Sequence, residues 1–180
     1  MSLEKSQIIT HITHSLPFTP FDVKWIPCSA KFVVVGQLPR GTGSLSVYQL
    51  TAQSIELISE SEKPTAFKCG TFGASTLASR QFITGDFDGK LQAWDLERNL
   101  SVMSIKAHDQ IINALDGCGG VGVNSGPPEV ATASRDGCVK VWDIRQRDKA
   151  VVTISPSEGE KTRDAWTVAF GISFQDEAHE

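Results

Sequence analysis

Residues 130–144 read Val-Ala-Thr-Ala-Ser-Arg-Asp-Gly-Cys-Val-Lys-Val-Trp-Asp-Ile, and this stretch decides the fold. It begins as a short β-branched run, breaks at Asp136 and Gly137, and resumes with alternating apolar residues as far as Trp142 and Asp143. An Asp-Gly pair between two such runs is a strong hairpin signal, because the turn needs positive φ, which Gly and Asp tolerate. The stretch is therefore predicted to form two strands of an antiparallel sheet.

The same pattern occurs earlier in the chain. Asp88 precedes Trp94 by six positions, as Asp136 precedes Trp142, and the two Trp-Asp pairs lie 48 positions apart. A fainter copy lies 46 positions further upstream, with Tyr48 in the place of the tryptophan. A repeat of roughly 45 residues closed by a Trp-Asp pair is typical of the WD-repeat β-propeller, whose units are four-stranded blades.

A chain of hydrogen bonds explains why blades use these residue types. A buried indole N–H needs an acceptor, and a Thr hydroxyl, a His and the turn Asp can complete the chain. In the third copy the predicted members of this structural network are His108, Thr132, Asp136 and Trp142. In the second copy they are Thr84, Asp88 and Trp94, with no histidine directly before residues 66–72. The first copy has only Tyr48, and Thr42 stands where the Asp is expected.

The predicted strands divide the chain into blades. We expect blade one over residues 18–59, blade two over residues 65–106 and blade three over residues 108–154. The β-prone residues 8–12 are predicted to supply a ring-closing strand, and residues 164–171 to begin a fourth blade.

Three blades and one strand are fewer than the roughly four to eight blades of closed propellers. Repeats bury their faces only against neighbours, so an open arc exposes apolar flanks and unpaired edges. Either the sequence is a fragment of a longer ring, or the arc pairs with another chain. The break falls inside a blade, which favours the fragment.

The connection over residues 116–128 is long and rich in glycine, so we expect a loop there that serves as a contact surface. Within it Gly117, Gly119 and Gly122 match the dinucleotide fingerprint Gly-x-Gly-x-x-Gly. That fingerprint needs a helix N-terminus to receive the pyrophosphate, and Val-Asn-Ser-Gly-Pro-Pro follows instead. A loop is favoured, and no cofactor is predicted.

The composition is that of an ordinary globular protein, with 40% hydrophobic and 21% charged residues. The net charge of −4 implies no global attraction to nucleic acid or to anionic membranes. The chain has no apolar run of transmembrane length and no secretory signal at its start, so we expect a cytosolic or nuclear location. Its four cysteines lack the close pairs of a zinc site, so we predict no metal and interpret them as small buried hydrophobes.

Two groups of side chains raise the possibility of catalysis. Asp86 and Asp88 resemble a metal or acid–base pair, but no clustered His or third carboxylate accompanies them, which favours a structural role. Ser134, Asp136 and His108 contain the residue types of a hydrolase triad, but the chain has no Gly-x-Ser-x-Gly elbow. We therefore predict that the protein is not an enzyme.

Propellers usually bind partners on the face that carries the turn Asp residues. The side chains predicted to project there are Phe87, Asp109, Arg135, Arg163 and Trp166. Exposed aromatic and Arg side chains often dominate interface energies, so our hypothesis is that Arg135 and Trp166 contribute to partner docking. The competing interpretation of Trp166 is packing in the core.

A more specific resemblance rests on six stretches, inside and outside the repeat core. They are residues 25–32, 68–74, 111–117, 134–137, 140–143 and 163–171. In these stretches, and over nearly its whole length, the chain resembles the family of the WD-repeat protein Monad, also described as axonemal dynein assembly factors. The resemblance implies a seven-bladed cytoplasmic ring without catalytic activity or a cofactor.

The resemblance also implies protein partners. One partner of the family is a chaperone assembly with RuvB-like ATPases, a prefoldin-like module and an Hsp90-recruiting adaptor. The dynein heavy chains are the other. A link to apoptosis is also attached to the family. We therefore expect a non-enzymatic scaffold or co-chaperone with no nucleic-acid or membrane partner. The alternative is a reader of methyl-lysine histone tails, which needs an aromatic cage that one tyrosine and few surface aromatics hardly supply. The third possibility, an enzyme on a propeller scaffold, is disfavoured because the chain has no converging acid–base set.

Overall fold

The computed structural model describes residues 9–121, 126–146, 148–157, 159 and 162–171. In this part of the chain twelve β-strands form three antiparallel sheets of four strands each. None of the described residues forms a helix long and apolar enough to cross a membrane. The predicted fold class, an all-β partial propeller, is confirmed.

Each sheet is a meander whose strands are neighbours in chain order. The strands of sheet one are β1 (Thr19–Trp25), β2 (Lys31–Gln37), β3 (Gly43–Leu50) and β4 (Ile55–Lys63). Those of sheet two are β5 (Phe67–Thr71), β6 (Phe82–Asp86), β7 (Lys90–Asp95) and β8 (Leu100–Lys106). Those of sheet three are β9 (Ile112–Cys118), β10 (Glu129–Ser134), β11 (Val139–Asp143) and β12 (Val152–Ile154).

The predicted hairpin joins β10 to β11, but its connection is longer than an Asp-Gly two-residue turn. Residues 135–138 form the loop, which is closed by Gly137 N–H donating to the Ser134 carbonyl oxygen at 3.1 Å. Only Gly137 takes positive φ, at 81°, which is the conformation glycine adopts without steric cost. Asp136 therefore contributes through its carboxylate rather than through its backbone.

The sheets pack through their first strands. β5 lies against β1 and β2 on one side and against β9 on the other. Apolar side chains fill both contacts, with Phe67 and Phe82 fully buried between sheets one and two, and Ile112 between sheets two and three. Because burying such a side chain contributes roughly 1.5–3 kcal/mol to stability, these apolar contacts hold neighbouring sheets together.

Two chain ends differ from the prediction. Residues 164–171 form no strand, because the segment is held through side chains and single backbone contacts rather than by a pairing strand. Asn113 donates to the Ala165 carbonyl oxygen at 3.0 Å, and the Asp116 carboxylate accepts from Phe170 N–H at 2.8 Å. Residues 9–12 also form no strand, and no described strand pairs with them, while residue 8 lies outside the described residues.

Two strands are longer than predicted. β4 continues to Lys63, four residues past the expected end at Ser59, because it stays paired with β3 as far as Gly43. β9 continues to Cys118, so the start of the predicted loop is strand, paired with β10. Gly117 allows close packing in β9, since a Cβ at this position would lie 2.6 Å from the Ala74 nitrogen. Gly122, the last glycine of the fingerprint, lies outside the described residues.

The cysteines are all free, and the prediction that they are buried holds for only two of them. Cys69 and Cys118 are buried, and burial raises the pKa of the Cys69 thiol to about 12. Cys28 is exposed at the turn between β1 and β2, with φ of 55°, and Cys138 is half-buried. The prediction fails for these two because they lie in hairpin connections and not inside a strand.

Candidate protein-interaction site

The structure brings the four predicted network residues of the third repeat together. Trp142 Nε1–H donates to Thr132 Oγ1 at 3.2 Å, and Thr132 Oγ1 lies 2.8 Å from His108 Nε2. His108 Nδ1 lies 3.0 Å from the Asp136 carboxylate. Asp136 also accepts the backbone N–H groups of Cys138, at 2.9 Å, and Asp109, at 3.2 Å. One carboxylate thus links the β10–β11 loop to the segment that leads into β9.

The second repeat makes the hydrogen bonds to the indole and to the turn with separate residues. Trp94 Nε1–H donates to Thr84 Oγ1 at 2.8 Å, as predicted for the indole. Asp88, however, accepts from the Thr65 hydroxyl at 2.8 Å and is not connected to that pair. The turn is closed by Asp86, whose Oδ1 accepts the backbone N–H groups of Asp88 and Lys90 at 2.9 and 2.7 Å. Asp86 is therefore the turn carboxylate here.

The first repeat has no such network. Tyr48 is buried and stacks on Phe32, with ring centroids 5.6 Å apart. Thr42 donates its hydroxyl to the Glu62 carboxylate at 2.6 Å, and Glu62 also binds Arg40. Glu62 on β4 thus closes this turn, so an ion pair stands where the other repeats use a turn carboxylate.

His108 is neutral in the folded protein. It is only 2% exposed, and this burial lowers its pKa although the neighbouring Asp136 acts in the opposite direction. For Asp136, burial alone raises the pKa, but hydrogen bonds from Cys138 and His108 outweigh it and the pKa is lowered. The contact is therefore a neutral imidazole N–H donating to a carboxylate.

This state of His108 predicts that the protein is less stable in mild acid. A histidine with a lowered folded-state pKa binds a proton more readily when unfolded, so stability falls as the pH drops below about 6.5. Thermal melting from about pH 7.5 to about pH 5.5 is expected to show a falling midpoint, less steep in His108→Asn. An equal slope in both proteins would assign the acid sensitivity to other groups.

Neither catalytic arrangement considered from the sequence forms. Both ring nitrogens of His108 are engaged by Asp136 and Thr132, so the ring offers no base to Ser134. Ser134 Oγ instead accepts from Asp136 N–H at 3.2 Å. Asp86 is buried and committed to its turn, and within the described residues no three His, Cys, Asp or Glu side chains cluster as metal ligands.

A groove lies where β10 and β6 end and β5 and β9 begin. It is a cavity of about 450 Å³ that we call the turn groove. Its lining residues are Lys68, Phe87, Ile111, Asn113, Arg135, Asp164 and Trp166. Three residues of the predicted partner surface, Phe87, Arg135 and Trp166, therefore share one concave surface. The turns of sheets two and three supply the first two, and the segment after β12 supplies the third.

The side chains of the turn groove combine exposed aromatic surface with charge. Trp166 is 70% exposed, so the structure does not place it in the core. Phe87 is half-buried against Phe21, with ring centroids 5.4 Å apart. Arg135 Nε lies 3.9 Å from the Asp164 carboxylate, a loose pair in which Arg135 is exposed and Asp164 half-buried. Such pairs contribute little to stability, so Arg135 is available to other carboxylates.

The other two residues of the predicted surface do not line the groove. Asp109 and Arg163 are both exposed, and Asp109 donates its backbone N–H to Asp136. Sequence reasoning missed Lys68, Ile111, Asn113 and Asp164, which the groove does contain. Lys68 and Asn113 lie on first strands where apolar and polar residues alternate, and that alternation is the signal that marks them as facing out of the core.

Two further cavities lie at the opposite ends of the strands. The larger, about 570 Å³, is lined by Pro27, Cys28, Thr76, Leu77, Gly119, Gly120 and Val121, with no charged side chain among them. The smaller, about 380 Å³, includes Trp25 and Lys24. The turn groove is the better candidate although it is not the largest, because it has two aromatic side chains with free surface and two cations, whereas the smaller cavity has one exposed aromatic, Trp25, and one cation, Lys24.

The comparisons with known proteins agree with the fold. The model of the WD40 family, described as WD domain, G-beta repeat, matches residues 99–143. These residues hold the His108 to Trp142 network, and with the three blade-like sheets they define a WD-repeat protein.

Curated relatives show the nearer kinship. Dynein axonemal assembly factor 10 of Xenopus laevis is 53% identical over 97% of this chain and 49% of the relative. The Homo sapiens protein of that name is 50% identical over 98% of this chain and 50% of the relative, and the Chlamydomonas reinhardtii protein 50% identical over 96% and 48%. The chain spans about half the length of the curated relatives it matches. The predicted resemblance is confirmed: over the part that it spans, the chain is similar to the dynein axonemal assembly factor 10 proteins.

Proposed function

We propose that this chain is part of a non-enzymatic WD-repeat scaffold that binds protein partners during the assembly of axonemal dynein. The observation that supports the proposal is the turn groove, where an exposed Trp166 and an Arg135 with only a loose ion pair share one concave surface. The names of the relatives support a role in dynein assembly, since the Xenopus laevis and Homo sapiens proteins are each called a dynein axonemal assembly factor.

The partners that we propose are those that the family resemblance implies. We propose dynein heavy chains as the proteins to be assembled. A chaperone assembly with RuvB-like ATPases, a prefoldin-like module and an Hsp90-recruiting adaptor is proposed as the machinery with which the scaffold acts as a co-chaperone in the cytoplasm. We also propose a role in apoptosis, which the family resemblance implies.

The test is mass spectrometry of the proteins that co-purify with the N-terminally tagged full-length protein, expressed from its own locus in ciliated cells. We expect dynein heavy chains and chaperone subunits to be enriched over a tag-only control. Enrichment of dynein without chaperone subunits would remove the co-chaperone part of the proposal. Enrichment of neither would overturn it.

A further inference from the structure

We propose that the turn groove binds an extended acidic segment of a partner, with an Asp or Glu carboxylate bound by Lys68 and Arg135 and an apolar side chain against Phe87 and Trp166. The inference rests on the proposed scaffold function and names the chemistry of the segment that the scaffold holds.

The charges of the groove favour an acidic ligand. Its lining contains two cations, Lys68 and Arg135, and a single anion, Asp164, in a protein whose net charge is −4. No carboxylate of the described residues forms a salt bridge with Lys68. Its ammonium group lies over the Phe21 ring, 4.4 Å from the ring centroid. The groove is thus a local positive site that can steer an acidic segment to it.

Asp164 stands where the carboxylate of the ligand is expected. Among the described residues, Asp164 is the one whose carboxylate pairs with Arg135, and at 3.9 Å the pair is too long for a hydrogen bond. The segment that carries Asp164 is attached by the bond from Asn113 to the adjacent Ala165, not by this ion pair. An incoming carboxylate therefore replaces a weak internal competitor, and the competitor lowers the affinity for acidic segments.

The apolar part of the groove supplies the second half of the recognition. Trp166 is 70% exposed and Phe87 is half-buried, so both rings keep surface that a partner side chain can cover. Phe87 is supported from behind by Phe21, with ring centroids 5.4 Å apart, and is therefore preorganised. Trp and Arg anchors, such as Trp166 and Arg135, are typical of hot spots in protein interfaces.

The experiment measures fluorescence anisotropy of labelled peptides with the purified full-length protein. The acidic probe is Ser-Gly-Asp-Glu-Phe-Glu-Asp-Gly-Ser, and the matched probes carry Lys at the four acidic positions or Ser in place of Phe. We expect the acidic probe to bind tightest. Lys68→Gln and Arg135→Gln are each expected to weaken the binding of the acidic probe between about two- and fivefold, and Asp164→Asn to strengthen it by a similar factor. The control is Arg145→Gln, outside the groove, where Arg145 Nη2 pairs with Asp143 at 2.7 Å; it is expected to change nothing.

The sign of the Asp164→Asn effect decides the inference. Equal binding of the acidic and basic probes, or weaker binding by Asp164→Asn, would overturn it. Thermal melts of each variant test whether a change in binding comes from unfolding; Arg135 and Arg145 are exposed, and Lys68 and Asp164 are half-buried. If the peptides show no preference while dynein heavy chains still co-purify from cells, the acidic-segment inference fails and the scaffold proposal stands.

Discussion

Replacing Asp136 with alanine is expected to lower the free energy of unfolding by about 3 kcal/mol and the melting midpoint by roughly 6–12 °C. The Asp136 carboxylate accepts hydrogen bonds from His108, from Cys138 N–H and from Asp109 N–H. The buried His108 then keeps an N–H donor without an acceptor, and the loop between β10 and β11 loses the bond that fixes it. Urea and thermal unfolding of both proteins measure the difference.

The matched control is Asp88→Ala, at the same position of the second repeat. Asp88 is exposed, and its side chain accepts from the Thr65 hydroxyl, so about 1 kcal/mol or less is expected. In that repeat Asp86 closes the turn, and Asp86→Ala is expected to have the larger effect. Equal losses for Asp136→Ala and Asp88→Ala would contradict the network as the structure describes it.

The fold could be predicted from the sequence because its signals are local. Alternation of apolar residues, turn residues and the spacing from Asp136 to Trp142 each act within one hairpin. Which of the two carboxylates, Asp86 or Asp88, closes the turn could not be predicted. Both carboxylates flank the same turn, and only the backbone geometry decides which one reaches the N–H groups. The length of β9 was missed for a similar reason: its glycines resemble a loop, whereas the structure uses Gly117 for a close contact between sheets.

The candidate site could be predicted only in part. Phe87 and Arg135 were found because each directly precedes a turn Asp, which places it at the end of a sheet. Lys68 and Asp164 were missed because nothing local connects them with those turns. They meet in the turn groove only through the packing of β5 beside β9 and the attachment of the segment after β12. Tertiary packing is therefore what turns separate surface residues into one groove.

Replacing both Arg135 and Trp166 with alanine is expected to reduce the capture of partner proteins by about tenfold or more. Both side chains are exposed, and Arg135 keeps its backbone bond to the Ile111 carbonyl oxygen, so the fold is expected to be preserved. The large loss follows because one aromatic and one Arg anchor are removed from the same groove. Truncating such anchors removes much of the binding energy of an interface.

The measurement that tests the turn groove as the docking surface is the amount of dynein heavy chain recovered per molecule of tagged full-length protein in ciliated cells. The Arg135→Ala, Trp166→Ala double variant is compared with a matched control, Trp25→Ala with Arg145→Ala. In the control Trp25 is 57% exposed, and Arg145 pairs with Asp143, both outside the groove. We expect only the groove variant to lose dynein heavy chain. Equal recovery from both variants, at the level of the unchanged protein, would contradict it.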